Sequence, residues 1–229
     1  MIERLRRLLR PKKIHMPRLQ RPRYVGRHRG RLALILCSGP TLLSHQDHIH
    51  TFIRERDAFP VFAANRAFIG VPRGLAHYVG FTNRRRLCQY GAEASKQGWL
   101  LVGTSIPDWI VRRVCTDDYD RLPYVADDAA PFSVQDGVTQ SGCGGVGPLL
   151  IATAAIMGAK EIWIAGMDGY PKGISEHAYA EPDRNEAGVL RHQEHTKQAL
   201  IGIRVWLKEI GVSGPHFLTP SVYQEEQHV

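Results

Sequence analysis

Acidic residues are almost missing from the start of this chain. The first 31 residues hold 12 lysines and arginines against one acid, Glu3. That segment carries +11 and residues 32–229 sum to −3, although the whole chain is +8. The imbalance divides the sequence into a basic N-terminal arm, 1–31, and a near-neutral globular domain, 32–229. Cysteine is scarce: Cys37, Cys88, Cys115 and Cys143 are scattered, without metal-ligand spacing. That speaks against a disulfide framework or zinc ribbon and predicts reduced thiols in the cytoplasm. No uninterrupted apolar run approaches the roughly 20 residues of a membrane span. Nor does an apolar core of signal-peptide type follow the first positive charges. There is no internal repeat, no Walker loop and no clean G-x-G-x-x-G before the first helix. A hydrophobic content of 43% and 229 residues are enough for one sizeable soluble domain.

The arm opens "MIERLRRLLR", with Ile2, Leu5, Leu8 and Leu9 at helical spacing between arginines. From Pro11 the stretch "PKKIHMPRLQRPRYVGRHRG" has three prolines and no clear period, which predicts extended or mobile chain. Three readings stand. It is a solvated tail, a peripheral anchor on an anionic membrane surface, or, third, a contact to a nucleic-acid backbone.

From Arg31 onward apolar strands alternate with helices. "RLALILCSGPTL" is a strand ending in the turn Ser38-Gly39-Pro40-Thr41, and 61–64 is a second strand closing at Asn65. "LAHYVGFTN" gives a third closing at Thr82-Asn83, and "GWLLVGTS" a fourth. "VTQSGCGGVGPLLIATAAIMGAKEIWIAGMD" then reads as a glycine-rich loop, a helix with Pro148 near its first turn and Gly158 at its end, and a strand running into Asp168. A last helix is expected over about 195–210, followed by a short strand "HFLTP". The pattern predicts an α/β fold, one Rossmann-like domain with a mostly parallel sheet.

In such sheets the ligand crevice lies beyond the carboxyl ends of the strands. Those ends carry Ser38, Thr41, Asn65, Asn83 and Asp168 with Tyr170: mostly neutral hydrogen-bonding groups that suit a sugar or base better than bare phosphate. "SGCGGVG" before a helix can offer N–H groups to a phosphate, though glycine before a helix is more often simply a turn. His192 and His195 are three apart and share a helix face, and H-x-x-H alone is no zinc motif. Asp118-Tyr119-Asp120 has D-x-D form, but "CTDDYDRLP" has little strand character before it and reads as a solvated turn.

"GPLLIATAAIMGAKEIWIAGMDGYPKG", with "HQEHTKQALIGIRVWLKE" after it, resembles the bacterial sialyltransferases of glycosyltransferase family 42. "LILCSGPTL" and "FPVFAANRAF" resemble that family's opening strand-turn and its next strand ending in Asn. The similarity runs through most of 32–220 and is strongest at 147–173 and 192–208. It implies a GT-A-like variant of the Rossmann-like domain. By the same resemblance His195 is the catalytic base, Asp168 a neighbouring site acid, and Tyr170 a contact to the donor phosphate. Asn65 and Asn83 match nucleotide- and sugar-contacting asparagines, and Gly39 and Thr41 match the first turn. Ser38 stands where the family has Asn, and His192 where a second tyrosine faces the leaving group. His177 or Tyr179 serves for another tyrosine. The family's Ser-Gly at the head of the long helix aligns with Ser141-Gly142 or with Val146-Gly147.

The resemblance implies transfer of an acidic, sialic-acid-like sugar from a CMP-sugar donor to a glycan hydroxyl. Expulsion of a single phosphate makes a metal clamp dispensable, since hydroxyls, imidazoles and a helix N-terminus can hold that charge. No cofactor is expected. An imidazole, with an ordinary pKa of about 6.5, suits removal of the acceptor proton. A base opposite the leaving group implies inversion. Two other classes remain open. Pterin diphosphokinases of the related superfamily use ATP and Mg²⁺ and would put Asp168 near the metal. The arm alone suggests a nucleic-acid-directed glycosyltransferase or binding protein. A homo-oligomer is also left open.

Overall fold

The computed structural model describes residues 23–115, 117–127, 132–169 and 186–224. Its first strand, β1 (Leu32–Leu36), shows why the sheet forms. Leu34 and Leu36 enter the core on one face, Ala33 and Ile35 the core on the other. A strand apolar on both faces belongs in the middle of a parallel sheet. Helices α1 (Thr41–Ser44) and α2 (Gln46–Arg54) lead to β2 (Val61–Ala64) and a 3₁₀ turn at Ala67–Gly70. Then come β3 (Tyr78–Phe81), α3 (Arg84–Ala94), β4 (Trp99–Gly103), α4 (Asp108–Val114) and β5 (Tyr119–Leu122). Three short strands follow: β6 (Tyr124–Ala126), β7 (Ser133–Gln135) and β8 (Val138–Ser141). The chain continues through α5 (Val146–Ile156), β9 (Glu161–Ala165), α6 (Glu186–Glu209) and β10 (Ser213–Phe217).

The seven-stranded sheet has the order β10-β9-β1-β2-β3-β4-β5, and every pairing in it is parallel. The α/β, Rossmann-like expectation is met. The smaller sheet, β6-β8-β7, has one parallel and one antiparallel pair. Strand order reverses at β1, which lies between β2 and β9. That is the switch point at which such sheets open a crevice.

Helix α5 lies across β1, β2 and β3. Residues 146–155 are all buried, so it has no polar face and no helical period to betray it. It stops where Gly158 takes φ +93°, a left-handed conformation that suits glycine. The end of the basic segment caps it. Gly26, His28 and Gly30 donate backbone N–H groups to the carbonyls of Ile156, Met157 and Gly158 at 3.0, 2.6 and 2.8 Å. Tyr24 is 1% exposed, and His28 Nε2 lies 2.8 Å from the Tyr78 hydroxyl. Thus residues 23–31 are packed on the domain, and the Leu/Arg stretch 2–9 lies outside the described residues. Among the described residues no helix is long and apolar enough to cross a membrane.

Three expectations need correction. The last helix begins at Glu186, nine residues before His195, where Gly188 weakens the helical signal in the sequence. The last strand occupies Ser213–Phe217 rather than "HFLTP". The D-x-D stretch is not a turn: Tyr119 and Asp120 open the edge strand β5. An edge strand tolerates polar residues, and Asp120 is held by Arg27 at 3.4 Å and by the Trp99 indole N–H at 3.0 Å.

Candidate functional site

Beyond the carboxyl ends of β9, β1, β2 and β3 lies a cavity of about 660 Å³. Its first wall is the junction of β1 and β9. Gly39 N–H donates to the Gly166 carbonyl at 2.7 Å, and Thr41 N–H donates to Asp168 Oδ2 at 2.7 Å. The Thr41 hydroxyl donates to Asp168 Oδ1. Thr41 Oγ1 also lies 2.9 Å from Thr219 Oγ1, which accepts from Gly166 N–H. A Cβ on residue 39 would lie 2.5 Å from Asp168 Cγ and 2.6 Å from the Gly166 carbonyl oxygen. Only glycine lets the two strand ends close this tightly. Burial raises the Asp168 pKa from its ordinary value, against the lowering effect of its Thr41 hydrogen bonds.

The second wall is formed by the ends of β2 and β3. The Ser38 hydroxyl donates to the Ala64 carbonyl at 3.2 Å, pinning β1 to β2. Asn65 lines the cavity with φ +55°, and its carboxamide oxygen is buried without a hydrogen-bond partner among the described residues. Asn83 also lines it, but its oxygen accepts from the N–H groups of Arg85 and Arg86 at 2.8 and 3.3 Å, capping α3. The Thr82 hydroxyl donates to the Gly144 carbonyl at 2.8 Å and ties this wall to the glycine-rich loop.

That loop and the start of α5 form the third wall. Residues 144–148 line the cavity, and among the described residues no N-cap side chain caps the first turn of α5. Uncapped N–H groups there form a positive, anion-seeking end. His192 of α6 stands over it: a Cβ on Gly145 would be 3.3 Å from the imidazole Cε1 and 3.7 Å from Nε2. Thr196, 5% exposed, sits one turn on and lies 3.7 Å from Cys143 Sγ. Burial pushes the Cys37 and Cys143 thiols up, so neither is a ready thiolate nucleophile.

The cavity thus gathers Ser38, Gly39, Asn65, Asn83, Gly147, Asp168 and His192. Thr41 stands behind Asp168. Of the two alternatives for the helix head, Val146-Gly147 lines the cavity. Ser141 and Gly142 do not; the Ser141 hydroxyl is buried and accepts from Cys143 N–H at 3.1 Å. His195, about 60° round the helix from His192, is not among the lining residues. Tyr170, His177 and Tyr179 lie outside the described residues. Arg86, Thr196 and Tyr223 line the cavity and were not anticipated. Arg86 had a signal, being three residues past the strand-closing Asn83. Tyr223 had none, since "SVYQEE" has no motif.

No protein-family model matches the chain, and no curated protein matches it. Among solved structures the chain is similar to the sialyltransferase CstII from Campylobacter jejuni, determined with the substrate analogue cytidine-5'-monophosphate. The identity is 15% and the TM-score 0.46, over 85% of this chain and 82% of that one.

Proposed function

We propose that the cavity binds a cytidine monophosphate sugar and that the protein is a metal-independent, inverting glycosyltransferase acting on a glycan hydroxyl. One observation carries the reading. One cavity at the switch point sets neutral hydrogen-bonding side chains, with the Asn65 oxygen unpartnered among the described residues, across from a helix N-terminus that no N-cap side chain among those residues caps, under an imidazole. A buried acceptor without a donor is costly unless a ligand N–H or O–H completes it. A cytosine amino group or a ribose hydroxyl does so. The head of α5 then faces the single phosphate, stabilising the negative charge that grows as the glycosidic bond to it breaks.

In this reading His192, over Gly145, serves the leaving phosphate. The acceptor hydroxyl gives its proton to His195, a role that rests on the "EHTK" resemblance. The rival diphosphokinase chemistry would place a divalent cation on Asp168. Both oxygens of that acid already accept from Thr41, which argues for an orienting role instead.

Thermal shift and calorimetry with CMP, CDP, UDP, GDP and ATP, each with Mg²⁺ or with a chelator, test the reading. CMP is expected to stabilise the protein in chelator, by mass action on the folded state. Stabilisation by ATP with Mg²⁺ alone would overturn it. With a donor and acceptor that turn over, His195→Ala is expected to keep CMP binding and lose ~10²–10⁴ in turnover. His192→Ala is expected to weaken CMP as well. Normal turnover in His195→Ala with loss in His192→Ala would move the base to His192.

A further inference from the structure

Arg86 lies half-buried in the first turn of α3 and is the one arginine or lysine among the described residues that line the cavity. Its position runs against local electrostatics. The first turn of α3 holds Arg84, Arg85 and Arg86 and no acid, so three cations crowd the positive end of a helix. Asn83 alone satisfies the capping requirement. Local rules broken in this way concentrate at functional positions.

The cavity is also polarised. Asp168 follows β9 and Arg86 follows β3, three strand spacings apart, or about 14 Å. A carboxylate therefore marks one end and a guanidinium the other, with the head of α5 and His192 between them. Guanidinium is charged at every working pH and offers a planar fork matched to carboxylate and phosphate oxygens.

We propose that Arg86 is a specificity-determining residue, which reads an anionic oxygen group of the substrate at the β3 end and so fixes which way round the substrate lies. The assignment builds on the glycosyltransferase reading of the same cavity. The anion comes from one of two sources, the donor phosphate or a carboxylate on the transferred sugar.

The test compares wild type, Arg86→Gln and Arg86→Lys, with Arg85→Gln as control. Arg85→Gln removes the same charge from the same turn at a residue outside the cavity lining. Unfolding midpoints establish that each variant folds. Calorimetry then uses cytidine, CMP and a non-transferable CMP-sialic acid analogue. Arg86→Gln is expected to lose roughly 10–100-fold in affinity for an anionic ligand and nothing for cytidine, with Arg86→Lys intermediate and Arg85→Gln unchanged. Loss for CMP and the analogue alike assigns the phosphate. Loss for the analogue alone assigns the sugar carboxylate. Equal affinities in Arg86→Gln and wild type overturn the role of Arg86 while the nucleotide reading stands. If wild type binds none of the three, the nucleotide reading falls, and inorganic phosphate and free sialic acid are titrated instead. Stabilisation of wild type but not Arg86→Gln by either keeps the anion site; no difference between them overturns it.

Discussion

Two asparagines close two neighbouring strands of this sheet, and the fold treats them differently. Asn83, after β3, spends its carboxamide oxygen on the N–H groups of Arg85 and Arg86 and so starts a helix. Asn65, after β2, sits in a left-handed backbone conformation with its oxygen buried and unpartnered among the described residues. Both line the same cavity. One is explained by the fold; the other is a cost that the folded state bears and that a bound ligand would remove. Residue type at a strand end therefore does not reveal function. What the side chain is left to do reveals it.

The severest way to break the comparison is to remove the wall that both face. Gly39→Ala puts a methyl group 2.5 Å from Asp168 Cγ and against the Gly166 carbonyl, with rigid backbone on one side. A loss of several kcal/mol, on the order of overpacking at its upper end, is expected in denaturant titration together with loss of ligand binding. Survival of both would show that β1 and β9 can part at no cost.

Asn65→Gly sharpens it. Glycine tolerates φ +55° and removes the unsatisfied oxygen, so stability is expected to hold or rise. CMP affinity is expected to fall by roughly tenfold or more as a buried hydrogen bond is lost. A destabilised variant with full affinity would reverse the assignment.

Asn83→Ala is the counterpart. Loss of an N-cap costs ~1 kcal/mol. That corresponds to a Tm decrease of about 2–4 °C for a domain of this size. Affinity is expected to change less than in Asn65→Gly.

The smallest effect is electrostatic and belongs to Asp168. Its folded pKa is raised, chiefly by burial, so the folded state holds the proton more tightly than the unfolded chain does. Stability from this group is therefore greatest at low pH and falls as pH rises from the ordinary carboxylate value through the raised folded one. Asp168→Asn is expected to flatten that part of the stability-versus-pH curve. An unchanged curve would show that the carboxylate titrates as it does in the unfolded chain.

Much of this was legible in the chain. β1, β2, β3, β4 and β9 are short apolar runs bounded by small or polar residues, and parallel strands advertise themselves in that way. The strand-end residues Ser38, Gly39, Asn65 and Asp168 followed from topology. β5 was misread because an edge strand has a water-facing side where "YDRL" costs little. The start of α6 was misread because Gly188, a poor helix former, weakens the helical signal there. Arg86 carried a signal in its spacing from Asn83 that went unused, whereas Tyr223 reaches the cavity through tertiary packing, which leaves no spacing in the sequence.

The all-round burial of α5 has a consequence for how the molecule breathes. A helix with no solvent face cannot detach by a local opening, because every turn would drag core side chains into water. Its amides past the first turn should exchange with deuterium only when the whole domain unfolds. The cavity floor is thus built on the slowest-exchanging part of the chain. A ligand seated there cannot be shed by fraying, and its binding free energy should appear as slower exchange throughout the domain rather than near the site alone.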